Sequence, residues 1–324
     1  MAASLADTSR AKASVPDSVF LISDSITLVY SKPKAWSFIT NFPRDYRDYA
    51  NVIWRKESIV PAMAIVASTA VLMVLDQQIV NNVQHFSKEM GVEGTTQTSK
   101  VINWSIKTGN TSIALPLLFP QDINSSLYFL GDGFVHVGLV FGFWGYGLVA
   151  NNYRARSTAS QLAEAMLTVG VTIQVLKHIS GRETPATSTQ TGGNWQFFPN
   201  QAEYSKHVPH YDAFPTGHLA TAMATVTVIA DNYPEKKLIR PIGYSLIALC
   251  GLSMINNGVH WMSDYPLGIA IGYGFAKVIT NRSHRETAHS TGNTGQVPWL
   301  KKLHPLLIPD FQAGFSGASM ICTF

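Results

Sequence analysis

Three short segments of the chain decide its fold and its chemistry. They are Lys177-His-Ile-Ser-Gly-Arg-Glu-Thr-Pro185, Pro215-Thr-Gly-His218 and Ser253-Met-Ile-Asn-Asn-Gly-Val-His260-Trp-Met-Ser-Asp264. Between them they hold two histidines, a lysine, a carboxylate and a glycine-flanked hydroxyl, each near a predicted helix end. Such groups attack phosphorus, protonate a leaving oxygen and hold phosphate oxygens. The three segments therefore predict a phosphate pocket.

The last segment places His260 and Asp264 four residues apart. At the start of a helix this spacing puts both side chains on one face. A carboxylate that bonds one imidazole nitrogen fixes the tautomer, so the other nitrogen presents its lone pair. The spacing favours a nucleophilic histidine, although a purely structural His–Asp pair would give the same pattern.

The middle segment predicts a turn that leads into an apolar helix. Proline and glycine shape the turn, and Thr216 is a candidate helix cap. Backbone N–H groups at a helix start bind anions, and His218 in the first turn can protonate a leaving oxygen. An ordinary capped helix is the alternative interpretation. Lys177 ends the preceding apolar helix, where the helix dipole alone also explains a cation.

The composition favours a membrane protein and gives no sign of a nucleic-acid partner. Of the 324 residues only 14% are charged, against about 25% in an ordinary soluble domain. The formal net charge is +4 and no Lys/Arg run is dense, so we expect no nucleic acid as a partner. The two cysteines form neither a CxxC pair nor a disulfide framework.

Six apolar segments predict an all-α membrane helical bundle of about six spans. The segments are residues 59–75, 127–149, 160–177, 216–231, 240–255 and 264–279. The first is short and ends at Asp76, and Glu164 interrupts the third, so a soluble helical bundle stays open as an alternative. We divide the chain into a polar N-terminal region (1–58), the bundle (59–280) and a C-terminal tail (281–324).

Basic residues cluster in alternate connections between the apolar segments. The four clusters are Arg44, Arg47, Arg55 and Lys56; Arg154 and Arg156; Lys236, Lys237 and Arg240; and Lys277, Arg282 and Arg285. Six spans place all four clusters on one face, which the positive-inside rule makes cytoplasmic. The motif segments then lie at the extracytoplasmic face. We expect a multi-pass protein of a bacterial cell envelope.

The remaining stretches predict irregular or extended structure. Residues 77–122 carry Gly, Thr and Asn clusters and predict loops and surface helices. Residues 180–215 form a long aromatic-rich loop, which either selects a ligand or anchors the protein at a membrane interface. Residues 18–23 and 26–30 have β-like patterns. The tail from Pro298 is either a β-hairpin or an extended arm.

In their order and spacing, the three segments resemble the type 2 phosphatidic acid phosphatase family, which shares its core with vanadium haloperoxidases and bacterial acid phosphatases. The family pattern is Lys, six residues, Arg-Pro; then Pro-Ser-Gly-His; then Ser-Arg, five residues, His, three residues, Asp. The likeness covers residues 59–280. It implies that His260 attacks phosphorus and forms a phosphohistidine, that Asp264 orients it, and that His218 protonates the leaving alcohol and later activates water.

The resemblance also implies a substrate-binding set and the absence of any metal or other cofactor. Lys177 would hold the phosphate oxygens, Thr216 keeps a hydroxyl donor at the family's serine position, and Gly217 offers a backbone N–H. Two family arginines are replaced, by Thr184 and by Met254. Both normally hold phosphate as bidentate donors.

Arg182 is the candidate replacement for one lost guanidinium. It lies two residues before Thr184, and a residue that precedes proline favours extended structure. Alternate residues of an extended segment share a face, so Arg182 can reach the vacated side. At Met254 no such replacement is predicted, because residues 241–276 contain no lysine or arginine.

Three functions fit these residues. The leading one is a membrane phosphatase that hydrolyses a lipid phosphate monoester or diphosphate. The second is a catalytically impaired phosphatase-like protein that binds a lipid or serves as a partner subunit in an envelope complex, as the missing arginines suggest. The third, a vanadate-dependent haloperoxidase, needs still more positive charge around the bound oxyanion and is least favoured.

Overall fold

The computed structural model describes residues 18–23, 26–108, 111–283, 285–288, 305–312 and 315–322. These residues are mostly helical, which confirms the predicted class. The helices are α1 (Ser37–Thr40), α2 (Phe42–Ile53), α3 (Ile59–Glu89), α4 (Ile123–Phe129), α5 (Gly133–Val149), α6 (Tyr153–Ser180), α7 (Gln201–Lys206), α8 (Gly217–Asn232), α9 (Ile239–Asn256) and α10 (Tyr265–Ser283).

Strands flank the helices in three antiparallel groups. The strands are β1 (Ser18–Ser23), β2 (Ile26–Tyr30), β3 (Thr98–Thr108), β4 (Thr111–Pro120), β5 (Arg285–Ala288), β6 (Pro305–Gln312) and β7 (Phe315–Cys322). One sheet has the order β1-β2-β5, while β3-β4 and β6-β7 are hairpins. The two predicted N-terminal strands are confirmed, and the tail forms the hairpin rather than the extended arm.

The core lies where α6, α8 and α10 pack side by side. Its apolar cluster includes Val169, Ile173, Ala220, Val228 and Phe275, all nearly inaccessible to solvent. Small residues allow this close packing, because a Cβ at Gly272 of α10 would run into the backbone carbonyl of Ala220 on α8.

Local signals start and stop the helices that carry the motifs. The side chain of Asn152 accepts a hydrogen bond from the Ala155 N–H at 3.0 Å and so caps the start of α6. Gly181 ends α6 in the left-handed conformation, with φ at 52°. A side chain there would be strained and would also collide with the Gln196 carbonyl. This stop directs Arg182 back toward the bundle.

The structure supports a membrane protein and gives three or four candidate spans in the described residues instead of about six. Among the described residues, three helices are long and apolar enough to cross a membrane: Lys56–Glu89, Tyr153–Ser180 and Ile239–Asn256. The pair α4–α5, bent by 61°, would make a fourth. The apolar face of α3 is not covered by the protein, and Val74 is 85% exposed.

The other two predicted spans, α8 and α10, are helices but do not qualify as spans: α8 has only 16 residues, and α10, with 19, is not apolar enough. The physical reason is their position. Both are packed within the bundle, where small and hydroxyl residues such as Ala220, Thr225, Gly272 and Thr280 serve helix contact better than contact with lipid.

Residues 77–122 differ from the prediction of loops and surface helices. Helix α3 does not end at Asp76 but continues to Glu89, and residues 98–120 form the β3–β4 hairpin. The helix continues because its C-terminal half packs on the bundle: Val80 is buried and Gln84 donates a hydrogen bond to the Asn256 carbonyl at 3.3 Å.

Ion pairs gather the basic clusters at the end of the bundle opposite the motifs. Arg154 bonds Glu235 at 2.6 Å, and both Arg240 and Lys277 bond Asp231 at 2.8 Å. Arg282 bonds Asp45 of α2 at 2.6 Å and also contacts Glu164. Glu164 therefore interrupts an apolar segment because it belongs to this polar end.

The close contact of α8 and α10 yields a test of the packing. We expect Gly272→Ala to lower the thermal midpoint, because an added methyl has no room and overpacking costs about 1–3 kcal/mol. Gly170→Ala on α6 is the matched control, since a Cβ there meets no atom within 4 Å and alanine favours a helix. Thermal unfolding in detergent measures both, and equal midpoints for the two variants would contradict the packing.

Candidate active site

The three motif segments meet at one end of the bundle. Lys177 lies in the last turn of α6, His218 in the first turn of α8, and His260 and Asp264 in the connection from α9 to α10. Backbone bonds join the segments: the Thr216 N–H donates to the Asp264 carbonyl at 3.1 Å, and the Ala213 N–H donates to the Arg182 carbonyl at 3.0 Å. The residues predicted from separate motifs are therefore brought together.

His260 and Asp264 face each other, but not by the predicted helical spacing. His260 precedes a short 3-10 helix, Met262–Asp264, and that turn brings the carboxylate back toward the ring. The Nδ1 atom of His260 lies 3.4 Å from Oδ2 of Asp264, close enough for electrostatic attraction, but it makes no hydrogen bond to any residue that the structure describes. The same oxygen accepts a hydrogen bond from the Trp261 N–H at 2.7 Å. Both side chains are almost completely buried.

His218 lies close to His260. The two ring centroids are 6.5 Å apart, nearly perpendicular, and His218 packs on Tyr128 at 4.7 Å. Gly131 packs directly against His218: a Cβ at position 131 would lie 2.6 Å from the His218 Cβ. Two facing imidazoles suit an acid and a nucleophile that act on opposite sides of one reacting centre.

Thr216 and Gly217 open α8 beside the two histidines. Thr216 occupies the N-cap position, but its hydroxyl makes no capping hydrogen bond, so that part of the prediction is wrong. Its Oγ1 is buried and has no hydrogen-bond partner within the described part of the chain. A buried hydroxyl without a partner is costly, which leaves it available for an oxygen of a ligand.

Lys177 is held by a carboxylate that the motifs did not include. Its Nζ lies 2.6 Å from Oδ2 of Asp212, and the hydroxyl of Tyr204 donates to Oδ1 of Asp212 at 2.5 Å. Burial and the hydrogen bond to Asp212 both raise the pKa of Tyr204, so its hydroxyl stays a donor. The side chain of Asp212 is 26% exposed. No periodic pattern marks Asp212, since it lies in the long loop.

Arg182 has other partners than the predicted phosphate. Its Nη2 bonds Asp76 at 2.7 Å and the Gly192 carbonyl at 2.8 Å, and its Nη1 bonds Asp264 at 2.5 Å and Ser263 at 2.6 Å. The guanidinium also lies between the rings of Trp195 and Trp261. It therefore supports the carboxylate that faces His260. In the sequence, Asp76 was marked only as the charge that ends an apolar run.

The two replaced arginine positions contribute no cation to the site. The hydroxyl of Thr184 is 3.1 Å from that of Thr187, and its N–H donates to the Pro209 carbonyl at 3.0 Å. Met254 is fully buried in an apolar cluster with Leu219 and Trp261. An apolar side chain at this position extends the core rather than the polar pocket.

The long loop is ordered around the carboxylate of Glu183. This carboxylate accepts hydrogen bonds from the N–H groups of Thr189 and Asn194 at 3.0 and 2.9 Å. Burial alone would raise the pKa of Glu183, but these bonds and nearby His210 outweigh it and hold the pKa below its ordinary value. Its carbonyl accepts from the Trp261 indole at 2.7 Å, which ties the loop to the site.

The aromatic residues of this loop divide between the two predicted roles. Trp195 stacks on Arg182, and Tyr204 bonds Asp212, so both form part of the site wall. Phe197 and Phe198 are exposed instead, as interface-anchoring residues would be.

A pH test follows from Glu183. A carboxylate whose pKa is depressed by folding stabilises the protein above its unfolded pKa, and this stabilisation is lost as the pH falls through the folded value. We expect Glu183→Gln to lower the thermal midpoint at pH 7, and the gap from the parent to shrink below about pH 4. Thermal unfolding across pH measures the gap, and a constant gap would contradict the role of the charge.

Known proteins similar to this chain share parts of its sequence. The family described as the PAP2 superfamily matches residues 158–288. A lipid A 1-phosphatase of Porphyromonas gingivalis is 36% identical over 62 residues, which is 19% of this chain and 14% of that protein. The chain thus aligns with only a small part of this relative.

Among solved structures, the chain is similar to a transmembrane PAP2-type phosphatidylglycerolphosphate phosphatase from Bacillus subtilis, at 14% identity and a TM-score of 0.30, over 76% of this chain and 95% of that one. The segment matched by the family runs from the body of α6 through α10 and includes every motif residue from Lys177 to Asp264. Over residues 158–288 this chain is thus similar to the PAP2 superfamily.

Proposed function

We propose that the chain is a membrane phosphatase that hydrolyses a lipid phosphate monoester or diphosphate through a phosphohistidine. The observation that carries this proposal is the arrangement of His218 opposite the His260–Asp264 pair. The PAP2 superfamily match over the same residues supports it, as do the apolar helices that reach membrane length.

The residues present can divide the reaction into two steps. In the first, Nε2 of His260 attacks phosphorus, the bond from phosphorus to the leaving oxygen breaks, and His218 gives that oxygen a proton. In the second, His218 takes a proton from water, the water oxygen bonds phosphorus, and the bond to His260 breaks. Asp264 holds the Nδ1 side of His260 throughout. From a monoester the products are phosphate and the lipid alcohol; from a diphosphate they are phosphate and the lipid monophosphate.

The charges around the pocket predict a slow catalyst. Lys177 is ion-paired with Asp212, and Arg182 is ion-paired with two carboxylates. A phosphate must therefore compete with Asp212 for the lysine. A buried charged contact of the kind lost at Thr184 and Met254 is worth about 2–5 kcal/mol. Each increase of about 1.4 kcal/mol in the activation free energy lowers the rate about tenfold.

The placement of charge also supports an orientation. The motif end of the bundle lies opposite the end that collects Arg154, Arg240, Lys277 and Arg282. By the positive-inside rule the basic end faces the cytoplasm, and the pocket then opens on the extracytoplasmic side of a bacterial envelope.

The second candidate function is a phosphatase-like protein with little turnover that binds a lipid or serves as a partner subunit in an envelope complex. It is favoured by the burial of Met254 in the apolar core and by the carboxylates already paired with Lys177 and Arg182. This candidate predicts a pocket that holds a lipid phosphate without cleaving it.

Phosphate release from phosphatidic acid or an isoprenyl diphosphate in mixed micelles tests the first candidate. We expect His260→Ala to reduce release to the level without enzyme, because no nucleophile remains. His85→Ala is the control, since the side chain of His85 is exposed on α3 and its ion-pair partner Glu89 lies outside the motif segments. Equal release by the parent and His260→Ala would exclude the phosphohistidine, and lipid that copurifies with an inactive parent would support the second candidate.

The close contact of Gly131 with His218 gives a second test. We expect Gly131→Ala to lower kcat about 10- to 100-fold, because the methyl displaces His218 and a small misplacement of a catalytic group has effects of this size. Gly133→Ala, two residues on, meets no atom within 4 Å and should keep the parent rate. Unchanged kcat in Gly131→Ala, with the protein folded, would show that His218 need not occupy this position.

A further inference from the structure

The most unusual buried group outside the motifs is the carboxylate of Asp76. It lies on α3, outside the matched family segment, at the point where the apolar run 59–75 ends and Gln77 and Gln78 follow. Its side chain is completely buried. A carboxylate in such a helix is costly unless it is fully paired, and its presence points to a function.

All contacts of Asp76 lead to the active site. Oδ2 accepts from Nη2 of Arg182 at 2.7 Å and from the Ser263 hydroxyl at 2.5 Å, while Oδ1 accepts from the Ser263 N–H at 3.0 Å. Ser263 belongs to the 3-10 helix that carries Asp264, and Arg182 bonds Asp264 directly. Asp76 thus contacts both supports of the carboxylate that faces His260.

We propose that Asp76 is a positioning residue, which holds Arg182 and the Met262–Asp264 turn so that Asp264 keeps its orientation toward His260. The proposal rests on the proposed phosphatase function. Arg182 and Ser263 lie between Asp76 and the carboxylate of Asp264. Asp76 therefore acts through these two residues and does not touch the substrate.

The charge balance explains why a carboxylate is needed. Arg182 lies between two carboxylates and divides its guanidinium between them: Nη2 to Asp76 and Nη1 to Asp264. If Asp76 were neutral, Asp264 alone would balance the arginine, and the stronger pair would draw Asp264 away from His260. The N–H and the hydroxyl of Ser263 each donate to a different oxygen of Asp76. Asparagine at 76 has one acceptor oxygen instead of two, so the turn loses one of these bonds.

The experiment compares Asp76→Asn with Asp45→Asn. Asp45 is a matched control, because it is also completely buried and bonded to an arginine, Arg282, but at the opposite end of the bundle. We expect both variants to lower the thermal midpoint. Asp76→Asn should lower kcat about 10- to 100-fold with KM within about threefold of the parent, as for other groups that orient a reacting residue. Asp45→Asn should keep kcat.

A milder variant covers the case in which Asp76→Asn does not fold. Ser263→Ala removes the hydroxyl that bonds both Asp76 and Arg182, and we expect about a 3- to 10-fold loss of kcat at unchanged KM. If Asp76→Asn folds, the double variant Asp76→Asn/Ser263→Ala should have the same kcat as Asp76→Asn alone, because the two substitutions remove the same set of contacts.

A spectroscopic measurement separates this inference from the proposed function. In protein labelled with ¹⁵N-histidine, we expect the His260 ring, identified by its loss in His260→Ala, to hold one tautomer with the proton on Nδ1. Asp76→Asn should give a mixture, whereas Asp45→Asn should not. An inactive parent would overturn the proposed function but leave this readout intact. An unchanged tautomer and an unchanged kcat in folded Asp76→Asn would overturn the positioning role.

Discussion

The site depends on one buried guanidinium, that of Arg182, held between Asp76 and Asp264. Removing three charges from water costs several kcal/mol for each ion, and such a cluster is stable only when its hydrogen bonds are nearly all made. Arg182 meets this condition with four bonds and two flanking indoles. Since Asp76 comes from α3 and Asp264 from the 3-10 turn that leads into α10, the cluster joins the first long helix to the turn before the last one.

The bundle separates its polar groups into two ends with an apolar middle. Helix α6 illustrates this arrangement: Arg154 at its start is paired with Glu235, and Lys177 at its end is paired with Asp212. A helix that is polar at both ends and apolar between them suits a bilayer. One end contains His218 and His260 of the candidate site, while the other end contains ion pairs that connect α2, α6, α8, α9 and α10.

The candidate pocket combines two histidines and a carboxylate, the groups of the proposed acid–base chemistry, with cations that are already paired. His218, His260 and Asp264 are brought together at the expected end of the bundle. The positive charge that would receive a phosphate is reduced, because Met254 joins the core and Asp212 is bonded to Lys177. These two features explain why the same residues support both a phosphatase and a lipid-binding protein with little turnover.

Local patterns in the sequence were sufficient to place helix in each of the six apolar segments, to predict the two N-terminal strands, and to place the motif residues near helix ends. Hydrophobic runs report which segments are helical, and proline, glycine and capping residues report where they end, because these effects act within a few residues. The pairing of His260 with Asp264 was also predictable from their spacing, although a 3-10 turn rather than an α-helix produces it.

Only the tertiary structure decided what the charged residues do. Asp76 and Arg182 are 106 positions apart in the chain, and Lys177 and Asp212 are 35 apart. No local pattern specifies such pairs, because their energy comes from burial and from the partner that packing brings near. By itself, the sequence determined a helical bundle with a histidine pair at one end. The packing of α3 and the long loop against that end decided that Arg182 supports Asp264 and that Lys177 is held by Asp212.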